Sequence, residues 1–169
     1  MKIERGFAVW SGVLLSSLLV VSNYIVAQGR QRGIQSYACP RPQGMCTAAN
    51  MCGSTSSPCR IDIKRRGSNW ASATPNIPGA KANAIFCVKL GTTITWESSS
   101  KNTGFVIDFG PSSPFDTAGA IMGGADRPIS VIAKRPGCFK YSAGACTSGT
   151  IYGMCGSADA EVVISDGSN

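Results

Sequence analysis

Thr92-Thr-Ile-Thr-Trp-Glu97 and Phe105-Val-Ile-Asp-Phe109 are the stretches that decide the fold of this chain. In the first, Ile94 and Trp96 alternate with polar residues. In the second, the large apolar residues at 105, 107 and 109 alternate with the residues between them. A period of two is typical of a strand with one face toward a core. The two stretches therefore predict neighbouring, half-buried β-strands.

Further short strands are predicted on both sides of this pair. The candidates are separated by Gly, Pro, Ser and Asn, the residues that mark turns. They are Ile61–Lys64, a continuous apolar run at Ile85–Leu90 that we expect to be a central strand, Ile129–Ala133, Cys138–Tyr141 and Glu161–Ser165. Six or seven such strands with turns between them predict an all-β fold, a Greek-key antiparallel β-sandwich.

The start of the chain has the pattern of an export signal. Basic residues Lys2 and Arg5 precede a run without charge from Gly6 to Gly29, and Ala27 is a small residue at a plausible cleavage position. The prediction is a signal peptide over residues 1–27. Residues 6–27 are also long enough to remain as an uncleaved anchor, since a span needs about 20 residues. Either outcome predicts a secreted, periplasmic or cell-surface protein.

The composition beyond the signal divides the chain in two. Residues 28–60 are rich in Gly, Pro, Ser and Cys with few large apolar residues, so they cannot bury much surface by themselves. Residues 61–169 contain the predicted strands and are long enough for one core. We therefore expect a Cys-rich N-terminal arm followed by a single sandwich domain.

All eight cysteines lie after the export segment. Their even number, in an oxidising compartment, predicts a disulfide framework. No closely spaced C-x2-C pair and no histidine supports a zinc or iron–sulfur site. We expect the first four to pair among themselves and the last four likewise; the residues are Cys39, Cys46, Cys52, Cys59, Cys87, Cys138, Cys146 and Cys155.

Several motifs, taken in order, resemble the later strands of cupredoxin-like domains, the plastocyanin and azurin type of β-sandwich. They are Gly91–Trp96, Phe105–Phe109, the loop Pro114–Asp116, Gly137–Tyr141 and Glu161–Ser165. The similarity covers roughly Ile61 to Asp166. It implies the same sandwich and, in copper-binding members, a site made of two His, one Cys and one Met.

The copper site that the resemblance implies is missing here. The chain has no histidine, which excludes a blue-copper centre. The first histidine position falls near Asn102–Gly104, and Ala143 stands where the ligand cysteine would be. Only Met154 matches an axial ligand. We expect no cofactor; the alternative is a Cu(I)- or redox-active site made of Cys146, Met154 and Cys155.

Candidates for catalysis or ligand binding are few. Asp108 and Asp116 flank one loop and could form a carboxylate pair that cleaves glycosides, although a strand-surface and a turn role suit them as well. Trp70 could be a binding contact or a core or loop anchor. Gly119–Gly124 suggests a flexible loop, since no strand-loop-helix pattern makes it a phosphate cradle. We predict no enzyme.

The net charge and its distribution limit the classes of partner that we expect. The chain carries a net charge of +7, with basic residues scattered or in short groups such as Lys64-Arg-Arg66. Without a basic face interleaved with aromatics, nucleic acid is not a predicted partner. The sequence predicts a copper-free structural or interaction module of the cell envelope or extracellular space. Its partners are expected to be proteins or other envelope components, with membrane contact through residues 6–27 if these are not cleaved.

Overall fold

The structure, a computed structural model, describes residues 42–67, 69–117, 119–147 and 155–167. The predicted signal peptide and the arm up to residue 41 lie outside the described residues. Within the described residues the fold is built almost entirely of strands: β1 Cys59–Arg66, β2 Trp70–Pro75, β3 Phe86–Lys89, β4 Thr93–Glu97, β5 Thr103–Asp108, β6 Ile121–Gly124, β7 Ile129–Ile132, β8 Gly137–Thr147 and β9 Cys155–Ser165. The all-β prediction is confirmed.

The strands form two layers that enclose one core. One layer has the order β2-β1-β4-β7, and the other has the order β6-β5-β8-β9-β3. The layers are joined where the first residue of β2, Trp70, pairs with Ser157 of β9. Across the interior, β1 and β2 contact β8. The result is a β-sandwich.

Both layers are mixed, so the prediction of a purely antiparallel sandwich is wrong. β1 runs parallel to β4, and β3 runs parallel to β9. The remaining extended pairings within each layer are antiparallel. Alternation of apolar residues places a strand on a core face but does not reveal its direction relative to its neighbour, because both directions present the same alternate side chains.

The predicted alternation is confirmed in β1, β4 and β5. Ile61 and Ile63 are buried while Asp62 and Lys64 are partly exposed. Ile94 and Trp96 are fully buried, as are Ile107 and, almost completely, Phe105. These side chains belong to one apolar cluster that spans both layers.

Three strand predictions need correction. Ile85–Leu90 is not a central strand: β3 pairs with β9 on one side and is bridged on the other by Met51 of the arm. Gly119–Gly124 is not simply a loop, because Ile121–Gly124 forms β6. The strand predicted at Cys138–Tyr141 is longer than expected, because β8 continues from Gly137 to Thr147 and includes Cys146.

A second apolar cluster lies on the outer face of β3, β8 and β9. Cys87, Cys138 and Val163 are buried there, although their strand neighbours Phe86, Phe139 and Val162 point into the main core. The arm covers this cluster through Met45, Cys46 and Met51. The Met45 sulfur lies 3.9 Å from the Cys138 sulfur. At this end the sandwich therefore has a third, thin layer.

Two disulfides of the arm are defined, and they overturn the predicted grouping of cysteines. Cys46 is bonded to Cys87 of β3, so an arm cysteine pairs outside its own group of four. Cys52 is bonded to Cys59 at the start of β1, within the group. The grouping failed because spacing along the chain does not show that the arm folds back over β3. Backbone hydrogen bonds between the arm and Cys87, from Cys52 N and to Asn50 O, hold it there.

Helical structure among the described residues is limited to short turns. Pro42–Met45 forms one α-helical turn and Gly110–Ser112 a 3-10 turn. No helix in this part of the chain has the length and apolar character of a membrane span. The predicted span at residues 6–27 lies outside the described residues.

Candidate interaction surface

The positions that match the copper ligands are not brought together. Thr103, at the first histidine position, pairs with Thr147, whereas Ala143, at the cysteine position, pairs with Ile107. Four residue steps separate the two pairs, which is about 13 Å along a strand. Ala143 is fully buried in the main core. The position to which the resemblance assigns the thiolate is therefore an interior alanine.

The residues of the Cys/Met alternative are differently engaged. Cys146 lies on β8 and is disulfide-bonded, as is Cys138 on the same strand. Cys155 begins β9 directly opposite Cys146, and Met154 lies outside the described residues. The described residues contain no group of three or more His, Cys, Asp or Glu that could hold a metal ion. The Cu(I) hypothesis therefore applies only to a chain in which Cys146 is reduced.

The two carboxylates considered for glycoside cleavage each have a local partner. The Asp108 carboxylate accepts a hydrogen bond of 2.7 Å from the backbone N–H of Gly110. Asp116 forms an ion pair with Lys134. Both side chains are exposed. Their contacts fit the turn and surface roles suggested by the sequence.

An aromatic cluster fills the centre of the sandwich. Trp96 makes edge contacts with Phe109, Phe115 and Tyr141, with ring centroids 5.5 to 6.4 Å apart. Burial raises the pKa of Tyr141 well above its ordinary value, an effect partly offset by the nearby Trp96 indole. The indole N–H nevertheless has no hydrogen bond of normal geometry. The cluster is closed to solvent and is an interior element.

Among the described residues, the most exposed large apolar side chains lie at the opposite ends of one row across the sandwich. Strand register connects Trp70 to Ser157, Ser157 to Gly144, Gly144 to Val106, and Val106 to Met122. Directly paired residues project to the same face of a sheet. Trp70 is 69% exposed and Met122 is 70% exposed. Four strand spacings, about 19 Å, separate them.

The row lies close to one end of the sandwich, which we call the Trp70 end. Among the described residues it comprises Arg66, Gly67, Asn69 and Trp70 at the β1–β2 connection, residues 101–104, and residues 122–127 around the turn after β6. Register places these three segments at the same end, since β5 starts, β6 finishes and β8 finishes there. Trp70 is thus neither a core residue nor a buried loop anchor.

A shallow pocket occupies the β5–β6 part of this end. Its volume is about 370 Å³, and its lining includes Asn102, Gly104, Met122, Asp126 and Arg127. Gly123 is required in the lining, because a Cβ there would come within 2.5 Å of the Phe105 ring and 2.7 Å of the Arg127 carbonyl oxygen. The main chain therefore forms much of this surface.

The charge at the Trp70 end is mainly positive. Arg66 stands directly opposite Trp70 across the β1–β2 pair and donates a hydrogen bond to Ser72. Among the described residues, Arg66, Lys101 and Arg127 make no ion pair, unlike Arg60, Lys64, Lys134 and Lys140. One carboxylate, Asp126, lies in the segments that define this end. Its exposed features are therefore two separated apolar side chains and three available cations.

Sequence reasoning found one of these residues and missed the other. Trp70 stood out as an isolated aromatic, but its exposure could not be read from the sequence. Met122 lies in the Gly-rich stretch Gly119–Gly124, which the sequence predicts as a flexible loop. A usable signal was present, because Ile121 and Gly123 alternate with Met122 in a strand-like period.

Comparison with known proteins adds no assignment. No protein-family model matches the chain, and no curated protein matches it at a significant level of sequence similarity.

Proposed function

We propose that this protein is an exported, copper-free, cupredoxin-like β-sandwich that acts as an interaction or structural module of the cell envelope or extracellular space. The observation that carries the functional part is the Trp70 end: Trp70 and Met122 are highly exposed in one row, beside three cations without ion pairs. Large exposed apolar side chains rimmed by polar residues mark interaction sites. We expect no enzymatic activity and no cofactor.

The strand connections support the cupredoxin-like part of the proposal. Consecutive strands pair only in three hairpins, β1–β2, β5–β6 and β8–β9. The other five connections pass from one layer to the other, as Greek-key sandwiches require. The motifs that resemble cupredoxins fall on β4, β5, β8 and β9 in order. Fold alone does not fix function, so the surface carries that part.

The cross-links support export. Disulfides persist in oxidising compartments and are rare in reducing ones. Cys46–Cys87, which is partly buried, and Cys52–Cys59, which is buried, tie the arm to the sandwich. A compartment that keeps these thiols oxidised fits the signal peptide predicted over residues 1–27.

Site-specific photo-crosslinking in the native host tests the interaction function. A benzophenone amino acid at Trp70 should capture a specific envelope component. The same probe at Leu90, which is also exposed but lies beside Ser165 at the far end of β9, is the matched control. Equal patterns from both positions, or no product from either, would overturn the proposed interaction surface.

Thiol labelling tests export separately. A membrane-impermeant maleimide applied to intact or outer-permeabilised cells should label the chain only after reduction. Labelling without reduction, or protection from the reagent until the cytoplasm is opened, would contradict an oxidised exported protein.

A further inference from the structure

We propose that the Trp70 end docks on a bilayer surface rich in anionic phospholipid, with the Trp70 indole at headgroup depth and the three cations facing lipid phosphates. The proposal deepens the interaction function above and rests on it. It places a membrane contact on the folded domain, separate from any contact made by residues 6–27.

The side-chain chemistry matches a membrane interface. Tryptophan combines a large apolar ring with an N–H donor and is enriched where apolar and aqueous phases meet. Trp70 directly follows the turn between β1 and β2, and 69% of it is exposed. Arg66, directly opposite, can bind phosphate while the indole enters the headgroup layer.

The charge distribution is complementary to an anionic surface. Arg66, Lys101 and Arg127 lie on the three segments that form the Trp70 end and make no ion pair among the described residues, whereas these segments carry one carboxylate, that of Asp126. Asp108 and Asp159 lie in a different row, in which each is paired with Ser142. This row is two residues farther from the Trp70 end along the strands. That is about 7 Å farther from the contact. The turns can therefore touch the membrane without bringing these acids to it.

The shape favours a lipid surface over a protein partner. Protein interfaces gain most of their affinity from anchors clustered near the centre of the contact. Here four strand spacings, about 19 Å measured along the sheet, separate the two exposed apolar residues, with Gly144 between them. A fluid headgroup layer needs no such central cluster, because lipids rearrange around each side chain.

Tryptophan fluorescence offers a direct test. The chain contains three tryptophans. Trp96 is fully buried in the core. The protein is prepared in the form that cells export and carries Trp10→Phe. A change in fluorescence on vesicle binding then comes from Trp70. Vesicles of phosphatidylcholine alone and with phosphatidylglycerol are compared, each with and without brominated acyl chains.

The expected result is a blue shift and bromine quenching of Trp70 on vesicles with phosphatidylglycerol, reduced at high salt. Arg66→Gln and Arg127→Gln should each weaken binding about fivefold, since each basic residue near an anionic surface adds about that factor. Lys89→Gln, at the far end of β9, should have little effect. In a Trp70→Phe background, Leu90→Trp should show no quenching.

Each contrary outcome overturns the membrane proposal. Equal quenching of Trp70 and Leu90→Trp would show that another segment binds the vesicle. Equal binding to both vesicle types would remove the role of the cations. If the photo-probe at Trp70 captures a protein or a glycan and no lipid, this inference fails while the proposed interaction function stands; if it captures nothing, both fail.

Discussion

Cys46 of the arm is covalently bonded to Cys87 of β3, with their Cα atoms 5.7 Å apart, although the two residues are 41 positions apart in sequence. The bond crosses the boundary that composition draws between arm and sandwich. It sits above an outer-face cluster that the arm covers with Met45 and Met51. Attachment of the arm therefore combines a cross-link with apolar burial.

Removing this cross-link should destabilise the protein more than removing the shorter one. A disulfide that closes a loop of about 40 residues is worth about 4 kcal/mol in the chain-entropy model, and one that closes about 8 residues about 2.5 kcal/mol. The double variants Cys46→Ala/Cys87→Ala and Cys52→Ala/Cys59→Ala are compared by chemical denaturation. A larger loss in the second pair would contradict a dominant role for the arm attachment.

The strand register predicts the two remaining disulfides. Cys138 and Cys146 are both disulfide-bonded, and register sets them opposite Val163 and Cys155. Cys155 is eight positions from Val163 along β9, about 26 Å, which is too far for a bond to Cys138. Peptide mapping under non-reducing conditions should therefore find Cys146–Cys155 and Cys39–Cys138. A peptide that joins Cys39 to Cys146 would disprove the assignment.

Acid sensitivity should involve Asp62. Burial acts to raise the pKa of this carboxyl, but hydrogen bonding to Lys64 and Ser99 and the charge of Lys64 outweigh it and lower the pKa below 3.8. The stabilisation by the Asp62 carboxylate is therefore fully present above pH 3.8 and is lost as the pH falls through the lowered pKa. Asp62→Asn should destabilise at neutral pH and lose its effect in strong acid. Denaturation curves across this range test the sign, and a constant difference would refute it.

Alkaline sensitivity should involve Tyr141. Burial raises its pKa above the ordinary 10.0, so the native state keeps the neutral phenol while the unfolded chain ionises. Stability is thus unaffected below pH 10 and falls above it. Relative to its own stability at neutral pH, the Tyr141→Phe variant should lose less stability above pH 10 than the wild-type protein does. It should therefore unfold at a higher pH. Absorbance of the phenolate should show Tyr141 ionising only as the protein unfolds; earlier ionisation would contradict its burial.

The small residues of β8 and β9 should be intolerant of enlargement. Ala143 is fully buried directly opposite Ala158, which is also buried. Ala143→Leu should cost about 1–3 kcal/mol through overpacking. Ser142→Thr, one position along the strand on the outward side, is the matched control and should change little. Similar losses of thermal stability in Ala143→Leu and Ser142→Thr would contradict the role of interior volume in this strand.

The same alanines explain which strands the sequence revealed. β1, β4 and β5 alternate Ile, Trp or Phe with polar residues, and that period was sufficient. β2 and the C-terminal half of β8 instead bury alanines: Ala71, Ala73, Ala143 and Ala145. In β8 the alternation is equally regular, whereas β2 also buries Ser72, and in both strands alanine has low β-propensity and a weak apolar signal. The long hairpin β8–β9 was therefore predicted at half its length.

The candidate surface was less predictable than the fold. A strand pattern shows which residues alternate, but the Trp70–Met122 row exists only because five strands share one register. None of the pairs that build it is local along the chain. The grouping of cysteines failed for the same reason, since chain folding and not sequence spacing brought Cys46 to Cys87.

The outer-face cluster under the arm also has a consequence for biogenesis. Cys87, Cys138 and Val163 belong to it, while the main core is formed by the opposite faces of the same strands. We expect reduction of the Cys46–Cys87 bond to expose the outer-face cluster rather than the main core, because the two lie on opposite faces of these strands. A chain in which Cys46 and Cys87 stay reduced would therefore present an apolar surface on β3, β8 and β9 to other proteins.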